Sequence, residues 1–127
     1  MIGMKREVTT SFDETLKRIP EALKTEGFGV LTEIDVMATL KKKLDVNFRP
    51  YRILGACNPQ FAYQALQSED KVGTMLPCNV VVQQHEDGVI EVSAIDPVAS
   101  MMAVQNNSLG AVAAEVQTRL KRVIDSL

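Results

Sequence analysis

The sequence predicts a single-domain α+β fold, in which an antiparallel or mixed sheet carries helices on one face. Three observations support this prediction. Runs typical of β-strands alternate with helical stretches along the chain. The runs 79–85 and 89–95 are joined by an Asp-Gly step, a strong hairpin signal. The 127-residue chain contains no linker or repeat, so we expect one domain over 1–127.

The first quarter of the chain predicts a strand followed by a helix. A short β-type segment covers residues 4–10. Ser11, with Glu14 three residues later, is a capping-box signature. The apolar residues that follow at helical spacing are Phe12, Leu16, Ile19 and Leu23. Gly27 suits the left-handed end of this helix, and Pro20 within it predicts a kink.

The middle of the chain predicts two further strands and a short helix between them. Residues 28–34 are rich in β-branched and large apolar side chains, which favours a strand. Asp35 is a candidate N-cap for a short helix whose apolar face is Val36, Leu40 and Leu44. Residues 52–56 predict the next strand, which ends at the Asn58-Pro59 turn signal.

Two more helices complete the predicted fold. Residues 59–68 have apolar side chains at helical spacing, and Pro59 fits the first turn of a helix. A long C-terminal helix follows the candidate caps Asn107 and Ser108. Its apolar residues keep helical spacing to the end of the chain: Leu109, Val112, Ala113, Val116, Leu120, Val123, Ile124 and Leu127.

Composition and charge disfavour several functional classes. The net charge of −2 provides no broad positive field, so we expect neither a nucleic-acid partner nor binding to an anionic membrane. No apolar run approaches the roughly 20 residues of a membrane span, and the first ten residues lack the apolar core of a signal peptide. Two cysteines are too few for a disulfide scaffold. We therefore expect a cytoplasmic protein with free thiols.

Two segments stand out as a candidate site because a cysteine precedes an asparagine in each. These are Cys57-Asn58, at the end of a predicted strand, and Cys78-Asn79, at the start of the next. If those strands are antiparallel neighbours, the helix between them returns the chain to the same end of the sheet. We then expect the two cysteine Cα atoms within about 10 Å of each other.

The sequence leaves open what the cysteines do. Buried free cysteine often packs as a small apolar side chain. A redox or sulfur-transfer site needs a thiol of lowered pKa, which the start of the following helix would favour at Cys57. A soft-metal site would hold copper(I), or zinc with further ligands. Candidate extra donors, at no recognisable ligand spacing, are Met75, Met101, Met102 and His85.

A non-catalytic module that binds a small polar ligand is the alternative to thiol chemistry. Asp35 and Asp96 could then lie at the mouth of the same pocket as Asn58 and Asn79. A structural role is favoured for Asp96, because an aspartate before a proline commonly caps or turns the chain. The single histidine, His85, falls at a predicted hairpin tip, which argues against a hydrolytic triad. No catalytic residue, metal or cofactor is assigned, and a surface for a protein partner is a third possibility.

Four ordered segments resemble the family known as domain of unknown function 302 (DUF302). They are GFGVLTEID at 27–35, YRILGACNP at 51–59, LPCNV at 76–80 and Asp96-Pro97. The resemblance implies a bacterial or archaeal protein with a β-α-β-rich α+β fold, similar to one copy of the TATA-box-binding-protein architecture. It also implies a homodimer, which would cover the sheet face left bare by the helices. The family has no established activity, so the resemblance implies no catalytic residues.

Overall fold

In the computed structural model, which describes residues 3–127, the chain forms five strands and five α-helices. The strands are β1 (Gly3–Val8), β2 (Gly29–Asp35), β3 (Tyr51–Cys57), β4 (Cys78–Gln84) and β5 (Ile90–Ile95). The helices are α1 (Phe12–Thr25), α2 (Val36–Leu44), α3 (Pro59–Ser68), α4 (Pro97–Met101) and α5 (Gly110–Asp125). Short 3-10 turns lie at Val72–Met75, Met102–Val104 and Asn107–Leu109.

The strands form one sheet in the order β1-β5-β4-β3-β2, and every neighbouring pair is antiparallel. The predicted α+β fold is therefore confirmed, with the antiparallel rather than the mixed sheet. The predicted hairpin is β4 and β5, in which Val80 pairs with Ala94 and Val82 with Val92. Gly88 in the connecting turn has φ of +89°, a conformation that glycine adopts without steric cost.

The first helix forms as its cap and apolar spacing predict. The Ser11 hydroxyl accepts the Glu14 N–H at 3.1 Å, which is the serine half of the predicted capping box. The helix ends before Gly27, whose φ of +84° is the expected left-handed conformation. Pro20 is exposed and does not interrupt α1.

The last helix begins one residue later than its apolar spacing predicts. Asn107 and Ser108, the predicted caps, lie within a 3-10 turn that is itself capped by the side chain of Asn106. The preceding segment, which the sequence left unassigned, forms α4, whose first residue is Pro97. This segment lies beside the end of the sheet and contributes to the candidate site described below.

The main hydrophobic core lies between one face of the sheet and helices α1 and α5. Alternate residues of the central strands point to this face and are buried, namely Leu54, Ala56, Val80, Val82, Val92 and Ala94. The helices contribute Ile19, Leu23, Leu120 and Val123. A smaller cluster of Ala65, Val72 and Leu109 packs beneath α3, near one end of the sheet.

The opposite sheet face forms an open groove of about 540 Å³ whose described lining comes from strand residues. Its apolar lining includes Ile53, Val81 and Ile95, and Lys5 and Glu91 are among its polar residues. This is the bare face that the arrangement of helices predicts. Within residues 3–127, no helix combines the length and apolar character needed to span a bilayer.

Replacing Leu120 with alanine tests the placement of α5 against the sheet. Leu120 is fully buried, so Leu120→Ala is expected to lower the free energy of unfolding by about 2 to 5 kcal/mol. The matched control is Leu44→Ala, because Leu44 is 66% exposed and its truncation should change stability by less than about 0.5 kcal/mol. Urea unfolding followed by circular dichroism measures both, and equal losses would contradict the described core.

Candidate functional site

The pairing of β3 with β4 brings the two cysteines to the same end of the sheet. Ala56 is the direct partner of Cys78, and Cys57 is the next residue along β3. Because opposite Cα atoms in an antiparallel pair lie about 5 Å apart and successive ones 3.8 Å, the cysteine Cα atoms lie within about 9 Å. This agrees with the separation expected from the topology.

Both cysteines line a small cavity, here called the inner cavity, of about 50 Å³. It lies between this end of the sheet and helices α3, α4 and α5. Its walls are formed largely by apolar side chains, including Phe28, Phe61, Leu76, Pro97, Val112 and Val116. Asn58 is the only carboxamide among the described lining residues, and none of them is charged. The inner cavity is therefore suited to an apolar group.

Asn58 closes one end of the inner cavity and has hydrogen-bond partners for both ends of its side chain. It is only 9% exposed. Its Oδ1 accepts the Phe61 N–H at 3.4 Å as the N-cap of α3, and its Nδ2 donates to the Glu26 carbonyl at 3.4 Å. A Cβ atom at Gly27 would lie 2.9 Å from the Asn58 Nδ2, so the glycine allows this close approach. Asn58 thus joins α1 to α3.

Arg119 of α5 covers the outer side of Phe61 at the edge of the inner cavity. Its guanidinium carbon lies 5.0 Å from the centre of the Phe61 ring, a cation–π distance. The same guanidinium donates to the Glu26 carbonyl at 3.1 Å and to the Glu115 carboxylate at 3.0 Å. Arg119 is therefore engaged with the protein itself, and its charge is balanced by Glu115.

The thiols at the inner cavity are protonated at neutral pH. Burial raises the pKa of Cys57 above its ordinary value. Burial, and secondarily repulsion from Cys57, raises the pKa of Cys78 to about 11. A redox site would need a lowered pKa, which the start of α3 was expected to favour at Cys57. The pKa of Cys57 is raised instead, because burial removes water from the thiol.

The structure separates the remaining predicted site residues from the inner cavity. Asn79 points to the opposite sheet face, where it lines the open groove. Asp35 caps α2 by accepting the Ala38 N–H at 3.0 Å, and it pairs with Arg52 at 3.2 Å. The expectation that Asp35, Asn79 and Asp96 share a pocket with Asn58 is not met, because strand alternation and helix capping direct these side chains elsewhere.

Asp96 has the structural role that its position before Pro97 favours. Its Oδ1 accepts the Val98 N–H at 2.9 Å at the start of α4. The same oxygen accepts the Gln117 Nε2 at 2.9 Å, which ties α4 to α5. Asp96 thereby holds α4 in place as one wall of the inner cavity.

Among the candidate soft-metal donors, only Met101 lines the inner cavity with the cysteines. His85 follows β4 and lies 3.6 Å from the Glu91 carboxylate. Within the described part of the chain, no three His, Cys, Asp or Glu side chains are grouped as metal ligands.

The apolar residues between 97 and 116 that line the inner cavity were not predicted as part of the site. The signal available in the sequence was the helical spacing of Leu109, Val112 and Val116.

Comparisons with known proteins extend over almost the whole described chain. The family model described as a domain of unknown function, DUF302, matches residues 4–127. The crystal structure of an uncharacterized conserved DUF302 protein from Bacillus stearothermophilus has 35% sequence identity and a TM-score of 0.91. The match covers 98% of this chain and 97% of that one. A comparison with curated proteins gives no significant match.

The thiol environment predicts slow alkylation of the folded protein. The thiolate is the reacting form, so Cys78 should stay unmodified by iodoacetamide at pH 7.5 and react faster only as the pH approaches about 11. Cys57 is half-buried and should react faster than Cys78, but more slowly than in urea. Mass spectrometry of the single variants Cys57→Ala and Cys78→Ala separates the two rates. Modification of Cys78 at neutral pH as fast as in urea would contradict the described burial.

Proposed function

We propose that this chain, which belongs to the DUF302 family, is a binding module whose inner cavity accepts a small, uncharged apolar group beside Cys57 and Cys78. In this proposal the cysteines are neutral wall groups and carry out no covalent chemistry. The observation that carries it is that the thiols of the half-buried Cys57 and the buried Cys78, whose pKa values burial raises, line a cavity that is otherwise almost wholly apolar. That lining favours an apolar group over the small polar ligand suggested by the sequence.

The volume of the inner cavity limits what can enter it. An apolar cavity of about 150 Å³ in another protein binds benzene and xenon. The inner cavity has about 50 Å³, so it suits a group of about two or three carbon atoms. Because Asn58 already has hydrogen-bond partners, an apolar group beside it leaves no buried polar atom unpaired.

Thiol redox chemistry, sulfur handling or soft-metal binding is the second candidate. The approach of Cys57 and Cys78 at one cavity supports it, because two thiolates are a suitable donor pair for copper(I). The raised pKa values oppose it, since both the nucleophile and the metal ligand are the thiolate. The alkylation rates described above distinguish the two candidates.

The cellular location forms part of the same proposal. Free thiols persist in a reducing compartment such as the cytoplasm, and both candidates are compatible with that location.

Filling the inner cavity should abolish binding of a small apolar probe. Ala62 lines the cavity from α3, and Ala62→Leu adds apolar volume there. Xenon should bind the original chain and shift the methyl NMR signals of Leu76, Val112 and Val116. Ala62→Leu should weaken xenon binding at least tenfold because its side chain occupies the space.

The matched control for this substitution is Ala114→Leu. Ala114 is exposed on α5 and is not among the described lining residues of the inner cavity, so xenon binding should be unchanged. Absence of methyl shifts in the original chain, or equal xenon binding by both variants, would overturn the proposed function.

A homodimer formed through the open sheet face is a further part of this proposal. The apolar residues Ile53, Val81 and Ile95 lie along the groove, and Lys5 and Glu91 lie in the same groove. Under two-fold symmetry the same surface of each copy is paired, so the apolar residues can meet and Lys5 can face Glu91 of the other copy. A second copy of the chain thus matches both the apolar and the charged residues of this face.

A charge placed in the groove should separate the dimer. Light scattering at micromolar concentration should give a dimer mass for the original chain and a monomer mass for Val81→Glu, because the carboxylate would be buried against Ile53 and Ile95. Thr118→Glu is the control and should remain dimeric, because Thr118 is an exposed residue of α5 outside the groove. A monomer mass for the original chain would refute the dimer, and circular dichroism verifies that each variant is folded.

A further inference from the structure

A second depression lies directly outside the inner cavity, on the other side of α4 and the turns that follow it. This outer cleft has a volume of about 450 Å³. Its wall contains the apolar side chains of Val98 and Met102 and the carboxamides of Gln105, Asn106 and Asn107. It therefore combines apolar and hydrogen-bonding groups, whereas the inner cavity is nearly all apolar.

The inner cavity and the outer cleft share a wall. Met101, Leu109 and Ala113 line both of them. Leu109 and Ala113 are 2% and 4% exposed and belong to the packed interior. Met101 is half-buried at the end of α4, and methionine is unbranched with three rotatable side-chain bonds. Of the three shared residues, Met101 therefore has the greatest side-chain freedom.

Neither the inner cavity nor the outer cleft has a charged residue in its described lining. None of the described residues around either one is Asp, Glu, Lys, Arg or His. A charged group in the inner cavity would lose hydration without gaining an ionic partner, which is costly, and one in the outer cleft would likewise have no ionic partner among the lining residues. The exposed carboxamides of Gln105 and Asn107 can both donate and accept hydrogen bonds. This arrangement favours an uncharged polar group in the outer cleft.

We infer that the inner cavity and the outer cleft are two compartments of one site for an uncharged amphipathic molecule. Its apolar end lies beside Cys57 and Cys78, its chain passes Met101, and its polar end meets Gln105 and Asn107. The inference rests on the proposed function and deepens it by naming the ligand class. A single alcohol, amide or ester group on a short alkyl chain has this chemistry.

A series of straight-chain 1-alkanols from ethanol to 1-octanol tests the inference, with methyl NMR shifts giving each dissociation constant. Affinity should rise about fourfold for each added methylene and continue to rise beyond 1-propanol, because the chain extends into the outer cleft. At pH 7, hexanoate should bind at least tenfold more weakly than 1-hexanol, because its charge has no partner. If affinity stops rising at 1-propanol, or if hexanoate and 1-hexanol bind with equal affinity, the inference is wrong.

Blocking the outer cleft separates this inference from the proposed function. Gly110 lines the outer cleft but not the inner cavity, and a Cβ atom there meets nothing within 4 Å. Gly110→Leu should weaken 1-hexanol binding at least tenfold and leave xenon binding unchanged. Gly73→Leu is the matched control, because Gly73 also has open space around its Cβ position and lines neither compartment.

The outcomes of these measurements separate the two hypotheses. If xenon binds in the inner cavity and Gly110→Leu leaves 1-hexanol binding unchanged, the two-compartment site is wrong and the proposed function stands. If xenon gives no shifts in the original chain, the proposed function fails and the inference fails with it. If Gly110→Leu weakens 1-hexanol binding while Gly73→Leu does not, and xenon binding is unchanged, both hypotheses are supported.

Discussion

The antiparallel pairing of β3 with β4 is the interaction on which the arrangement of the candidate site depends. It sets Ala56 opposite Cys78 and places Cys57 beside them at one end of the sheet. A shift by one residue would send the side chains of β4 to the other face, which would expose Val80 and Val82 to the open groove. Burial of those valines therefore fixes the same register that brings the cysteines together.

Helix capping explains why polar residues that look like a ligand site in the sequence have structural roles here. Asp35, Asn58 and Asp96 each precede a helix, and each accepts backbone N–H groups of its first turn. An uncapped helix start leaves backbone donors unpaired, and a polar cap contributes about 1 kcal/mol. Capping, strand ends and ligand binding all favour the same residue types, so the sequence predicted a cap at Asp35 and favoured a structural role for Asp96 without excluding a ligand site.

Local patterns in the sequence predicted much of the fold but less of the candidate site. The hairpin and the apolar face of α5 follow from neighbouring residues, and the approach of Cys57 and Cys78 follows from the order of strands. The rise in the pKa values of Cys57 and Cys78 depends on burial. Part of that burial comes from residues distant in sequence, such as Val112 and Val116, which line the same cavity. Packing of that kind has no short-range signal, and α4, which completes the wall, is too short to have a clear helical period.

Small side chains explain why a void persists where the two hydrophobic clusters meet. Ala56, Ala62, Ala65 and Ala113 line the inner cavity, so several of its walls present no more than a methyl group to it. A larger side chain at one of these positions would occupy the space. An apolar group that enters the cavity would gain dispersion contacts with the same walls, and these contacts must outweigh the translational and rotational freedom that the group loses on binding. Small walls therefore give room for a ligand, and the number of contacts that the ligand makes decides its affinity.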